Sequence, residues 1–499
     1  MYDSLFSDSL AVLPVWVLGL TALALVLIDA FRPNAANATD AGPLVPWLTV
    51  AALAAALAIE VLRMGGDATG VFADHLRVGG YAAFANAVVL LGALASTVLS
   101  IPYLRRTGHS LAEVYVLILI ATIGMMTLAG SGSLVTAFVG LETMSVCLYV
   151  LTGLVRERER GPESALKYFL LGAFSTGFFL YGIALMYGAT GTMMLSAMPE
   201  ALAATGSYGL FVGGVALLLV GFLFKVSAVP FHMWTPDVYQ GAPTTLTAFM
   251  STASKTAAFA ALIVVLWQAI PAGTNATLVL AVVSALTMVG GNVLALNQTN
   301  VKRMLAYSSV AHAGYILAGL AAANATGYGG ALYYLLAYTV MNLGAFGVLA
   351  ALEHDDAHGA VQSLDDLRGA AYRRPLLGAT MGVFMFGLTG FPPLAGFIGK
   401  YQVFAGVVEA NMAWLAVIGV LASAASAFYY LRVVGVLYAR ADKDAAIAPG
   451  VPLATPPVLT AVVLVACAVA LLGLGVLPGG VLEATRAFFE GGAAVALAP

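Results

Sequence analysis

Glu142, Lys225, Lys255 and Lys400 stand inside long apolar runs, accompanied there by Lys167, His312 and Arg432. An ionisable group at bilayer depth costs several kcal/mol unless it is paired or hydrated, so each needs a reason. The chemistry such residues can do together is proton exchange. A lysine in apolar surroundings holds its proton less tightly because desolvation disfavours the ammonium, and a nearby carboxylate restores the affinity. A Glu–Lys pair can therefore be poised so that a small change in separation moves a proton on or off. Several such sites joined by water would pass protons along the membrane plane, and the pattern offers little to a bulky substrate.

Depth supports grouping them. At 1.5 Å per residue, Glu142 falls about 17 Å into its run, Lys255 about 20 Å and His312 about 15 Å. Lys225 and Lys400 fall near the middle of two overlong runs, so all five approach the centre of a slab about 30 Å thick. Lys167 is only about 7 Å from the end of its run, where snorkelling explains it as readily as function does; Arg432 is placed similarly. Glu142 has the alternative of a buried acid that pairs helices. His312, in AYSSVAHAGY, is either a relay group or a neutral core histidine, and His232, just after Pro230, either links its helix to the nearer face or does no more than pack. His354 and His358, in LEHDDAHGA, have an i,i+4 spacing that suits a metal. With no third ligand motif nearby, a solvated loop is the better reading. Met125, Met126, Met193 and Met194 read as packing residues rather than as a copper site.

The elements that must position these groups follow from composition. Of 499 residues, 61% are hydrophobic and 9% charged, against about 25% charged in soluble proteins. The chain is an all-α polytopic membrane protein. Apolar runs at approximately 10–31, 44–62, 80–102, 111–129, 131–154, 163–189, 207–235, 242–269, 277–298, 302–322, 327–352, 375–409, 411–440 and 456–477 predict about fourteen transmembrane helices. Loops after the odd-numbered runs carry thirteen Lys and Arg against three on the other side, which places both termini outside the cytoplasm. A net charge of −3 leaves no basic face for nucleic acid. Cys147 and Cys467 form neither a disulfide framework nor a cysteine cluster, and the acidic start MYDSLFSDSL lacks the basic region of a signal peptide.

Two runs carry helix breakers: 207–235, through Pro230, and 375–409, through Pro392 and Pro393. Proline withholds a donor and crowds the carbonyl four residues earlier, and in hydrocarbon the freed groups need partners from neighbouring helices or water. Each break is the fourth span of a five-span block, 111–270 and 276–440. Because five is odd, the second block enters from the opposite face, predicting two inverted repeats with a broken helix each. Residues 1–110 form a three-helix N-terminal segment, and 441–499 a linker, a last span and a tail without a recognisable motif.

The stretches GLETMSVCLYVL (140–151), ESALKYFLLGAFSTGFFLYG (163–182), FKVSAVPFHMWTPDVYQGAPTTLTAFMSTASK (224–255), RMLAYSSVAHAGY (303–315) and LAGFIGKYQVF (394–404) resemble the antiporter-like membrane subunits of respiratory complex I. The resemblance spans about residues 80 to 440. It implies a proton-translocating subunit of a bacterial inner-membrane NADH:quinone oxidoreductase, with other membrane and peripheral subunits as partners. It carries over the helix-five glutamate onto Glu142, the helix-six lysine onto Lys167 and the first broken-helix lysine onto Lys225. The following histidine falls on His232, the central lysine on Lys255 and the terminal lysine on Lys400. Position 400 is lysine where one sister subunit has glutamate, and the chain lacks the long lateral helix of another. No Rossmann fingerprint, cysteine cluster or haem ligand pair is present, so FMN, iron–sulfur clusters and quinone are expected in partner subunits rather than in this chain. The competing expectation is a subunit of a multi-subunit cation/proton antiporter, which shares broken helices and buried lysines.

Overall fold

The computed structural model describes residues 2–31, 40–156, 160–271, 275–353, 363–439 and 456–490. His354 and His358, and Arg32, Arg158, Arg440 and Lys443 of the basic loops, lie outside the described residues. The chain opens with α1 (Tyr2–Ala11), α2 (Leu13–Ala30) and α3 (Leu44–Arg63), then a hairpin of β1 (Thr69–Val71) and β2 (Leu76–Val78). Next come α4 (Gly80–Arg106), α5 (Ala112–Ala129), α6 (Leu134–Thr152), α7 (Arg160–Thr190), α8 (Met198–Thr205), α9 (Tyr208–Lys225) and α10 (Trp234–Gly241). They are followed by α11 (Thr244–Phe249), α12 (Lys255–Gln268), α13 (Ala276–Leu296), α14 (Val301–Ala321), α15 (Ala325–Leu352) and α16 (Ala370–Arg373). The described chain ends with α17 (Pro375–Thr389), α18 (Ala395–Glu409), α19 (Ala413–Leu437), α20 (Val458–Val476) and α21 (Gly479–Glu490).

Thirteen spans among the described residues are long and apolar enough to cross a membrane, α11 and α12 counting as one continuous span. The fourteenth pass is α17, only 15 residues long, continued by α18 beyond a break. The expected fourteen crossings are therefore present. Local features not anticipated include α1 ahead of the first run, the hairpin after α3, the short helices α8 and α16, a π-helical turn at Met250–Ser254 between α11 and α12, and the terminal helix α21.

Both breaks fall where the prolines demand. α9 ends at Lys225 and helix resumes at Trp234, with Ser227 at φ +67° and a cis Val229–Pro230 bond. α17 ends at Thr389, Gly390 takes φ +87°, and α18 resumes at Ala395 beyond a cis Pro392–Pro393 bond. The carbonyls freed by each break find partners, as burial in hydrocarbon requires. Phe224 O accepts from the Trp234 indole at 2.9 Å, while Leu388 O and Thr389 O accept from Lys400.

Small residues set how closely the helices approach. A Cβ on Gly124 of α5 would lie 2.5 Å from Met144 N of α6, and one on Gly291 of α13 would lie 2.5 Å from Ala311 N of α14. In both contacts the residue four before that partner, Gly140 or Tyr307, presents its carbonyl to the glycine. The two contacts thus match Gly124 with Gly291 and Gly140 with Tyr307. Continuing along the helices, Glu142 matches Ser309 and Ser145 matches His312.

The span formed by α11 and α12 is the axis of the bundle: every residue from Thr244 to Leu266 is buried. By contrast, Leu278, Val282, Leu286, Val289 and Val293 of α13, and Val458, Val462, Val465, Val469 and Val476 of α20, present exposed apolar stripes suited to lipid. Basic residues near the ends of separate helices meet on one face of the bundle, here termed the Arg-rich face. Arg106 donates to Ala350 O, Lys302 to Ala242 O, and Arg432 to Gln298 O. The hairpin and α21 lie on the opposite face, where Phe489 packs on Tyr81, Trp267 and Tyr328.

Candidate proton-conducting site

The three lysines assigned to mid-depth are all buried, with Lys225 3% exposed, Lys255 2% and Lys400 5%. Lys225 closes α9 at the first break rather than sitting inside a helix. Its ammonium donates to Ser145 Oγ at 2.9 Å and Tyr168 OH at 3.2 Å, and lies over the rings of Tyr168 and Tyr149. Tyr168 is itself stacked on Trp234 at 4.5 Å, so the resumed helix α10 helps to fix the hydroxyl that Lys225 uses. Lys255 opens α12 immediately after the π-helical turn and donates to both the carbonyl and the hydroxyl of Ser309. A π turn inserts one extra residue per turn and so rotates the following side chain relative to a regular helix. Lys400 donates to Leu388 O at 3.1 Å, Thr389 O at 2.9 Å and Ser423 Oγ at 2.8 Å, and lies 4.7 Å from the centroid of Tyr315. The second break thus creates both the need for a donor and the lysine that meets it.

Glu142 is half-buried, and its carboxylate accepts from Thr176 Oγ1 of α7 at 2.8 Å. The sequence suggests a Glu–Lys pair without naming its lysine, and no bridge to Glu142 is among the salt bridges of the described residues. Instead Lys225 bonds α6 directly at Ser145, one turn beyond Glu142, beside a cavity of about 10 Å³ lined by Ser145, Gly172, Thr176 and Lys225. That volume holds about one water. The cavity is thus shared by the amine and by Thr176, the hydroxyl that donates to Glu142.

His312 is 1% exposed, with one ring nitrogen 2.6 Å from Tyr334 OH and the other 2.9 Å from Tyr430 OH. Tyr430 OH in turn meets Ser308 Oγ. His312 follows Ser309 by one turn of α14, so it stands between the acceptor of Lys255 and Tyr315, the ring beneath Lys400. Measured from the Arg-rich end of each helix, Ser145 lies about 10 Å deep, Tyr168 and Ser309 about 12 Å, and Leu388 about 20 Å. Lys225 and Lys255 share a level; Lys400 lies deeper.

Lys167 and His232 are placed differently. Lys167 bonds Glu163 at 2.6 Å and Asp237 at 3.0 Å, and Asp237 bonds Arg303 at 2.6 Å, with 43% of the Lys167 side chain exposed. This is a rim network joining α7, α10 and α14 rather than part of the buried row. Partial burial works against the Asp237 carboxylate, but hydrogen bonds from Arg303 and Lys167 outweigh it and hold the carboxyl below its usual range. His232 lies half-buried within the first break, its ring 6.5 Å from that of Tyr307. Two buried acids escaped the sequence reading. Glu60 of α3 is 4% exposed and accepts from Asn86, and Glu353 at the end of α15 is 5% exposed and accepts from Tyr103 and Thr244. Among the described residues no group of three or more His, Cys, Asp or Glu could hold a metal.

Residues 131–426 match the family model described as NADH:quinone oxidoreductase/Mrp antiporter, transmembrane. The chain is 57% identical over 493 residues to NADH-quinone oxidoreductase subunit N of Salinibacter ruber, covering 98% of this chain and 97% of that one. It is similar to a chain of respiratory complex I from Thermus thermophilus solved with bound aureothin, at 38% identity and a TM-score of 0.78, covering 94% and 98% of the two chains. A chain of the Mrp complex from Dietzia shares the fold at a TM-score of 0.82 with 21% identity, covering 96% of each.

Proposed function

Because the chain belongs to the NADH:quinone oxidoreductase/Mrp antiporter membrane family, we propose that it is a proton-translocating membrane subunit of a bacterial NADH:quinone oxidoreductase, respiratory complex I. The observation that carries this reading is the state of the three lysines. Each is buried, and the hydrogen-bond acceptors around each ammonium are hydroxyls and carbonyls, with no carboxylate within salt-bridge distance among the described residues. A lysine kept only for helix pairing would be matched by a buried acid. One whose charge is balanced by dipoles alone can gain and lose a proton without breaking an ion pair.

In this reading Glu142 modulates Lys225 through Thr176, Ser145 and the small cavity. Lys225 exchanges protons with Lys255, His312 and its tyrosines lead on from Ser309, and Lys400 is the terminal site. Lys167 and His232 support the first unit from the rim and the break. The five-helix units 111–270 and 276–440 act as two inverted halves of one path. The Arg-rich face lies in the cytoplasm and both termini in the periplasm. NADH oxidation and quinone reduction belong to partner subunits that hold FMN, iron–sulfur clusters and quinone; this chain supplies no redox group. A stand-alone cation/proton antiporter subunit would share the fold, but the full-length relative at 57% identity favours the oxidoreductase.

The test is proton pumping per NADH oxidised in membranes carrying the assembled complex. Glu142→Gln and Lys400→Ala are each expected to lower it about tenfold or more, the range for loss of a proton-transfer group. Unchanged pumping in both refutes the roles assigned here.

A further inference from the structure

Resting on the proton-translocating reading above, we propose that Glu353 is the proton-loading group for Lys255, feeding it from the Arg-rich face along a stripe of hydroxyls on α11. Glu353 follows the last residue of α15 and is 5% exposed. Its carboxylate receives the Tyr103 hydroxyl of α4 at 2.8 Å and the Thr244 hydroxyl that opens α11. Among the described residues no lysine or arginine forms a salt bridge with it. Two cations bond backbone beside its partners: Arg106, whose guanidinium lies 5.7 Å from the Tyr103 ring and donates to Ala350 O, and Lys302, which donates to Ala242 O. The hydrogen-bond partners of the acid itself among the described residues are hydroxyls.

From that carboxylate a polar line runs inward. Thr244, Thr247 and Ser251 recur at steps of three and four residues, which sets them on one side of the helix, and the π-helical turn then leads on to Lys255. The three hydroxyl residues have no exposure, and Lys255 is 2% exposed. Ser251 Oγ accepts from Asn342 at 2.7 Å, and the same amide nitrogen reaches Tyr338 OH at 2.9 Å. The buried Asn342 Oδ1 makes no hydrogen bond within the protein, and a buried acceptor of that kind is a site for a bridging water. Serine and threonine within a helix can satisfy themselves on the preceding turn, as Thr247 does on Pro243 O and Ser251 on Ala248 O, so hydroxyls alone would say little. Here they have an acid at their head and a buried lysine at their foot, about 17 Å apart along the helix.

The step balances without redox chemistry. Protonated Glu353 releases its proton to the Thr244 hydroxyl, each hydroxyl or bridging water passes one on as it receives one, and the neutral amine of Lys255 becomes the ammonium. Glu353, now a carboxylate, takes its next proton from the aqueous side.

Glu353→Gln keeps the shape and can still hold both hydroxyls, so a purely structural acid predicts normal behaviour. The assembled complex carrying Glu353→Gln, Glu353→Asp or Lys255→Ala would be assayed for NADH-driven proton uptake, normalised to the chain present in the membrane, with and without added formate. The expected result is a loss of about tenfold or more in Glu353→Gln, recovery of at least about a third of the wild-type rate in Glu353→Asp, and partial rescue of Glu353→Gln by formate. Pumping within about twofold of wild type in Glu353→Gln overturns the assignment. Should that variant fail to accumulate, Glu353→Asp decides: a complex that accumulates but does not pump also overturns it. Normal pumping in Lys255→Ala refutes the proton row as a whole, whereas loss there beside normal pumping in Glu353→Gln refutes Glu353 alone.

Discussion

Replacing Lys255 by methionine separates function from stability. Methionine has nearly the same length and no charge, and it would occupy the same buried position after the π turn. A lysine at the centre of a membrane helix costs roughly 3 kcal/mol relative to an apolar residue. Against that stand two hydrogen bonds to Ser309, one to its carbonyl and one to its hydroxyl. With an ammonium as donor both are charge-assisted and return about 3 kcal/mol together. Removing them strands little, because Ser309 O lies within α14 and the hydroxyl can turn back onto the preceding helical turn. The two terms nearly cancel, so Lys255→Met is expected to leave the stability of the chain within about 1 kcal/mol of wild type while proton pumping is lost. Thermal unfolding of the detergent-solubilised complex, followed by fluorescence and paired with NADH-driven proton uptake in vesicles, measures both. A variant destabilised by more than about 2 kcal/mol would mean that Lys255 is a structural anchor, and the reasoning from uncompensated burial would be wrong.

Two further perturbations test the frame around the row. Asp237→Asn breaks the rim network between α7, α10 and α14; with partners 31–43% exposed, each bridge contributes no more than about 1 kcal/mol. Because the folded Asp237 carboxyl lies below its ordinary value, its contribution is present above the ordinary carboxylate range and lost as pH falls through the folded value. The wild-type advantage in thermal midpoint should therefore shrink as pH falls below about 4, and an advantage independent of pH would exclude the ion pairs as its source. Gly140→Val drives a side chain toward the α5 backbone, where a Cβ would lie 2.5 Å from Leu128 N, and should cost about 3 kcal/mol and reduce the amount of assembled complex. Gly177→Val, with nothing within 4 Å of its Cβ, is the control that should accumulate normally in immunoblots of the membrane.

The parts of this molecule that could be read from its sequence are those set by local rules. An apolar run declares its span, a proline its break and an intramembrane lysine its cost, so the fourteen crossings, Pro230 and Pro392, and the burial of Lys225, Lys255 and Lys400 were all accessible. Partners depend on helix rotation, which no single run reveals. A Glu–Lys pair was a reasonable inference from charge alone, yet α6 turns Ser145 rather than Glu142 toward the Lys225 amine. Lys167 was assigned with the row by resemblance, but its acids are Glu163 and Asp237, the latter brought in by a short helix after the break. Glu353 borders a run of acids and histidines and so looked solvated; only the approach of α4 and the start of α11 closes it off. The π turn before Lys255 has no counterpart in hydrophobic periodicity, because every side of that span is buried.

The matched glycine contacts carry the argument one step further. They place Glu142 of α6 and Ser309 of α14 at the same helical position, with different chemistry. On α6 that position is a carboxylate, and Lys225 bonds the helix one turn away from it. On α14 it is a hydroxyl, and Lys255 of α12 bonds it directly. Contact is direct where the acceptor is neutral and offset where it is charged. A direct carboxylate–ammonium bond in low dielectric would be a deep well that holds its proton, whereas a hydroxyl contact, or a carboxylate one water away, leaves a shallow one. The Glu142 carboxylate is thus kept out of contact with Lys225, and Lys255 meets only neutral oxygens.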